Sequence, residues 1–184
     1  VRARRERLEK MNMVIGTFFS EAGTDLLRTI AMADRNISTL EDTLRVSGAW
    51  KDPDFLRVGN AMKEYAYQVD YSQVNIGEMK SFLMEKRDFL LRLLENPMLL
   101  EHQSFTELLR AVFHFTEELI RRQNTCNLPE NDSRHLQKDI ERIYRLLSLE
   151  WLSYMKHLHT HYPYLSSLAI RTNPFDRKAR VVVD

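Results

Sequence analysis

The sequence contains little glycine, proline and cysteine. Five glycines and five prolines among 184 residues leave few sites for turns, and this favours long helices over many short strands. The only cysteine, Cys126, excludes a disulfide within the chain. It lies in a polar loop with no basic residue beside it, so we interpret it as an ordinary thiol.

Long apolar runs and nucleotide-binding motifs are also missing. A membrane-spanning helix needs about 20 apolar residues, but the longest apolar run, 13–19, is interrupted by Gly16 and Thr17. No glycine-rich phosphate loop and no nucleophile elbow is present. We therefore predict a protein that is not an enzyme and carries no cofactor. The net charge of +1 argues against a nucleic-acid partner.

Apolar residues recur every three or four positions through most of the chain, which is typical of helices that bury one face. The pattern predicts an all-α fold, an antiparallel bundle of five or six helices with a long N-terminal helix. We predict a basic segment at 1–10, a bundle at 11–172 and a tail at 173–184. The predicted helices span residues 4–34, 36–46, 52–94 with a kink or split at 71–77, 104–122, 132–161 and 165–170.

Four arginines crowd the first seven positions: Arg2, Arg4, Arg5 and Arg7. Basic residues are enriched where a cytoplasmic helix leaves a membrane, and they also attract anionic lipid. The chain begins with valine, and we expect it to be cut from a longer membrane-anchored protein. The alternative is a solvated helix start, stabilised by pairs of opposite charge four residues apart.

Leu8, Met11, Ile15 and Phe18 form an apolar seam directly after the arginines. Their spacing of three and four predicts a face for self-association, and hence a homo-oligomer. The seam spans only about two heptads, fewer than a coiled coil needs, so the alternative is a helix that faces the core of its own bundle. Gly16 allows close approach of a neighbouring helix.

A histidine cluster near the end of the last long helix suggests a different function. His157 and His161 lie four residues apart and so share one helix face, a spacing that suits a metal ion. Glu150 lies on the same face, and His114, Glu117 and Glu118 on another helix could be brought near. The alternative is a set of solvated histidines at a helix end, where positive charge is favourable.

Residues 4–23 resemble part of a known family. The arginine-rich join and the Leu-Glu-Lys-Met-Asn element at 8–12 are similar to the cytoplasmic segment of a family of uncharacterised bacterial membrane proteins. In that family a hydrophobic span precedes the join and a helical domain follows it. The resemblance implies an upstream membrane anchor and a domain at the cytoplasmic face of the inner membrane. It implies no activity, cofactor or catalytic residue.

Two functions remain open at this point. The first is a non-enzymatic interaction or regulatory domain of a membrane-anchored bacterial protein, whose protein partner the sequence does not identify. The second is a helical sensor that binds a metal or small ligand through the histidines and nearby acids.

Overall fold

The computed structural model describes residues 1–183, and every regular element in that range is helical. The chain is helical without a break from Arg2 to Ala31. Helix α1 (Arg2–Phe18) continues through a π-helical turn (Phe19–Gly23) into α2 (Thr24–Ala31). The predicted long N-terminal helix is therefore confirmed in part, with a π turn inside it.

Six further α-helices follow, joined by short connections and two 3₁₀ turns. With α1 and α2 counted as one, the described residues form seven helices. The all-α prediction is confirmed, and five or six helices was slightly too few. The later helices are α3 (Ile37–Thr43), α4 (Asp52–Glu64), α5 (Ile76–Leu94), α6 (Gln103–Arg121), α7 (Glu130–His161) and α8 (Pro163–Arg171).

Of the two outcomes expected for the helix at 52–94, a kink or a split, the structure shows a split into α4 and α5. Between them the backbone forms bonds that a continuous helix would not allow. The amide of Asp70 donates to the carbonyl of Ala33 at 2.8 Å, so this segment is tied to the end of α2. The side chain of Asn75 then accepts from the amide of Glu78 at 3.0 Å and caps the start of α5.

Helix α7 lies at the centre of the bundle. It has 32 residues, and it packs against α1, α2, α4, α6 and α8. Its buried residues occur on several faces, because neighbours surround it. The remaining helices are therefore arranged largely by where they contact α7.

A buried carboxylate joins α7 to two other parts of the chain. Asp34 accepts hydrogen bonds from the hydroxyls of Tyr65 at 2.6 Å and Tyr144 at 2.8 Å, and from the amide of Asn36 at 2.8 Å. Burial, together with the neighbouring Asp34 carboxylate, raises the pKa of both tyrosines above the ordinary value. Both hydroxyls therefore remain protonated donors to Asp34 at neutral pH.

The packed core continues past the predicted boundary at residue 172. Phe175 is fully buried, and its ring packs edge-to-face on Trp151 with centroids 5.2 Å apart. The side-chain amide of Asn173 donates to the carbonyl of Leu44 at 2.8 Å. Residues 173–175 thus belong to the bundle and not to a tail.

We predict that Asp34→Ala destabilises the fold by about 3 kcal/mol, because it leaves the buried Tyr144 hydroxyl, the part-buried Tyr65 hydroxyl and the part-buried Asn36 amide without their acceptor. Urea denaturation followed by circular dichroism measures the free energy of unfolding. Asp42→Ala is the matched control, since the Asp42 side chain is 81% exposed and its loss should cost less than about 0.5 kcal/mol. Equal losses in the two variants would contradict the role of Asp34.

Candidate functional site

A groove runs between α1 and the end of α7, where α8 begins. It consists of two adjoining cavities, of about 620 Å³ and about 220 Å³. Both are lined by Glu9 and Asn12 from α1 and by His157 and Tyr162 from the other side. The groove therefore joins the basic end of α1 to the histidine cluster.

Close contact between α1 and α7 forms the floor of this groove. A Cβ atom added at Gly16 would lie 2.5 Å from the hydroxyl oxygen of Tyr154, so only glycine fits there without movement. The Tyr154 ring stacks on Phe19 with centroids 5.6 Å apart. The expectation that Gly16 allows close helix approach is confirmed, and Tyr154 is the side chain that uses the space.

His157 is the half-buried histidine of the groove. Its ring lies 4.9 Å from the ring of His161 and 5.8 Å from that of Tyr162, measured between centroids. Burial lowers the pKa of His157, and the neighbouring His161 lowers it further, whereas the carboxylate of Glu9 opposes both effects. His157 is therefore held toward its neutral form.

The predicted metal trio is not assembled. His157 and His161 are adjacent, but Glu150 is buried in the bundle, seven residues before His157. Seven residues correspond to about 10 Å along a helix, which is too far for a shared ligand position. Across residues 1–183, no three His, Cys, Asp or Glu side chains are placed to hold a metal ion as they stand.

The four predicted membrane-proximal arginines lie on the exposed first turns of α1, where residues 1–10 are all exposed. Arg2 pairs with Glu6 at 3.0 Å, and Arg5 pairs with Glu9 at 3.3 Å. These are the pairs of opposite charge expected for a solvated helix start. Both sequence interpretations therefore agree with an exposed basic helix end.

Arg7 and Arg4 differ in their pairing. Arg7 reaches Glu101 in the turn before α6, at 3.1 Å. Arg4 forms no ion pair within the part of the chain that the structure describes. At least one arginine of this helix end is thus available to another molecule.

The apolar seam packs into its own bundle. Met11, Ile15 and Phe18 are buried, and the Phe18 ring packs edge-to-face on Phe105 with centroids 5.4 Å apart. These three side chains are unavailable to a second chain while the domain is folded. Only Leu8, which is 55% exposed, could take part in self-association.

Of the two acids selected with His114, Glu117 binds Arg87 at 2.7 Å and does not approach the groove, and Glu118 lies 3.6 Å from His114. His114 instead points to a polar cluster between α6 and α7 that contains two residues the prediction omits, His135 and Asp139. A signal for them does exist in the sequence. Each of the two helices carries a histidine followed four residues later by an acid.

The helices of residues 1–183 include none that is both long and apolar enough to cross a membrane. Residues 7–171 match a family described as "Uncharacterized protein MJ1433, C-terminal helical domain". "Uncharacterized protein MJ1433" of the archaeon Methanocaldococcus jannaschii is 44% identical over 181 residues, which cover 98% of this chain and 72% of that protein. No solved structure matches the chain. These matches show neither a bacterial origin nor a membrane anchor.

We predict that Gly16→Ala destabilises the protein by about 1–2 kcal/mol, because the new methyl group displaces the Tyr154 ring. Tyr154→Phe in the same chain should restore part of that loss, since the closest contact is with the hydroxyl oxygen. Urea denaturation of the single and double variants measures this coupling. Gly59→Ala is the control: its Cβ would meet nothing closer than 3.7 Å, so it should be neutral or stabilising.

Two substitutions should move the pKa of His157 in opposite directions. His161→Gln removes a neighbouring positive charge and should raise the pKa, whereas Glu9→Gln removes a negative charge and should lower it. Titration of the histidine ring protons by NMR measures both shifts. A shift of the same sign in the two variants would show that the groove does not have the charge arrangement described here.

Proposed function

The chain belongs to the family described as "Uncharacterized protein MJ1433, C-terminal helical domain", and from this premise we propose that it is a non-enzymatic interaction domain that rests against an anionic membrane surface. The observation that carries the proposal is the basic end of α1. Residues 1–10 extend as a helix beyond the core, and every one of them is exposed. Apart from the exposed Arg7–Glu101 pair, these residues form no ion pair with the rest of residues 1–183, so we assign them to contact with another surface.

The charge of this helix end supports an anionic partner. Residues 2–10 contain five basic and two acidic side chains. Arg4 and Lys10 form no ion pair among residues 1–183, and the pairs that do form are exposed. Exposed ion pairs contribute little to stability, so these arginines can exchange a glutamate for a lipid phosphate at small cost.

Exposed apolar side chains lie beside the basic residues. Met13 of α1 is 71% exposed, and it lines the larger cavity together with Tyr162 and Leu165. A basic helix end bordered by Leu, Met and Tyr side chains is typical of proteins that bind the interfacial region of a bilayer.

In this proposal the protein is anchored to the membrane, and the domain lies on its cytoplasmic side, because basic residues are enriched there next to membrane segments. Helix α1 would then connect the lipid surface to α7 through the Gly16–Tyr154 contact. The archaeal relative gives no reason to retain a bacterial origin. Leu8 is the one residue of the seam through which self-association is still proposed.

Binding to vesicles tests the proposal. The domain should bind vesicles that contain phosphatidylglycerol and should not bind vesicles of phosphatidylcholine alone. Changing Arg2, Arg4, Arg5 and Arg7 to Gln should weaken binding about fivefold per residue, since each basic residue near the surface contributes about 1 kcal/mol. Sedimentation with vesicles at low salt measures the partition, and high salt should abolish it.

A control with the same change of charge replaces four exposed basic residues of other helices: Arg57, Arg92, Arg110 and Lys138. This variant should bind vesicles nearly as well as the original protein. If it loses as much binding as the α1 variant, the attraction is a property of the net charge and not of α1. Failure of the original protein to bind anionic vesicles would overturn the proposal.

A further inference from the structure

A second polar site lies where α6 packs against α7, and it involves neither the groove nor the basic end of α1. Helix α6 contributes His114 and Glu118, and α7 contributes His135 and Asp139. Within each pair the residues are four apart, so both side chains project from one helix face. The packing of the two helices brings the two faces together.

The four side chains converge without bonding to one another. Nε2 of His114 lies 3.6 Å from Oε1 of Glu118 and 3.8 Å from Oδ2 of Asp139. Nε2 of His135 lies 3.5 Å from each of the same two oxygens. An N–H···O hydrogen bond spans about 2.7–3.2 Å, so these contacts are too long to satisfy the oxygens.

Asp139 is the clearest sign that something else belongs here. Its side chain is 5% exposed, and Oδ2 has no hydrogen-bond partner. Buried carboxylate oxygens are normally bonded, because removing them from water without a partner is costly. The unpartnered oxygen faces the Nε2 atoms of both His114 and His135.

Two arginines hold the opposite oxygens of the carboxylates. Nη1 of Arg122 donates to Oε2 of Glu118 at 2.6 Å, and Nη1 of Arg142 lies 3.4 Å from Oδ1 of Asp139. In each acid one oxygen therefore has an arginine beside it, and the other is left facing the histidines. Groups that orient ligands in this way surround metal sites in proteins.

We propose that His114, Glu118, His135 and Asp139 bind one divalent transition-metal ion, for which Zn²⁺ is the best match. Two imidazole nitrogens and two carboxylate oxygens suit zinc and its first-row neighbours. Calcium and magnesium prefer ligand sets made of oxygen alone. The metal would clamp α6 to α7 by two ligands from each helix.

Binding of the ion would draw the four side chains together. Tetrahedral zinc, with bonds of about 2.0–2.1 Å, places its ligand atoms about 3.3 Å apart. The four histidine–carboxylate separations of 3.5–3.8 Å exceed this spacing by a few tenths of an ångström. Among residues 1–183 no three such side chains are placed to hold a metal ion without moving, so the proposal requires the side chains to rearrange on binding. The side chains of His114 and His135 are 53% and 49% exposed, so they can rotate inward.

Titration of Zn²⁺ into the untagged, metal-free chain tests the assignment. Isothermal titration calorimetry should show one ion bound per chain. His114→Ala and His135→Ala should each weaken binding by at least about a hundredfold, because loss of an outer-shell partner alone often costs roughly 10–100-fold. Bound Co²⁺ should show the intense visible absorption of a four-coordinate site, and both variants should lose it.

Matched controls separate this site from adventitious binding by surface histidines. The double variant His157→Ala, His161→Ala removes two histidines that are also four residues apart, and it should bind Zn²⁺ as the original chain does. Circular dichroism verifies that all variants keep their helices. Absence of stoichiometric Zn²⁺ binding, or an equal loss in the control variant, would overturn the proposal and leave the cluster as histidine–carboxylate ion pairs.

Discussion

The burial of α7 on several sides is the constraint on which the rest of the structure depends. Five helices pack against it, so polar groups along α7 need partners inside the protein. Tyr144 meets this need by donating to Asp34, and the hydroxyl of Ser148 donates to the carbonyl of Tyr144. Each such bond also fixes the position of another part of the chain.

The position of α1 follows from the same constraint. From Met11 onward the helix buries apolar side chains in the bundle, and glycine at position 16 lets Tyr154 of α7 approach its backbone. The residues before Met11 extend past the packed core. The basic helix end is therefore exposed because the buried part of α1 begins only at Met11. The proposed membrane contact is made by this exposed end, residues 1–10.

Helix α7 also contributes to both the groove and the proposed metal site. His135 and Asp139 lie near its start, and Tyr154 and His157 lie near its end. A separation of about 20 residues corresponds to roughly 30 Å of helix. Asp139 is unlike the other buried polar groups of α7, because its Oδ2 has no partner. We interpret this difference as a sign of binding, since a purely structural carboxylate would be expected to have its hydrogen bonds satisfied.

Much of the fold follows from local sequence patterns. Scarce glycine and proline and the apolar spacing of three and four predict the helices, because these signals depend only on residues one or two turns apart. The kink or split predicted at 71–77 is a break between α4 and α5, in a stretch whose Ser, Asn and Gly residues are weak helix formers. The exposure of the α1 arginines also follows from the local sequence, since they precede Met11, the first buried residue.

The sequence by itself determined the all-α class, the approximate helix positions and the basic end of α1. The tertiary structure alone decided which polar residues meet. Asp34, Tyr65 and Tyr144 are far apart in the chain, and Glu150 shares a helix with His157 yet lies too far along its axis. His114 and His135 face the same carboxylates only because α6 and α7 pack with particular faces together. The rotation of each helix about its own axis decides which face it presents to its neighbour. This rotation is set by the packing of the whole core, which no local pattern encodes.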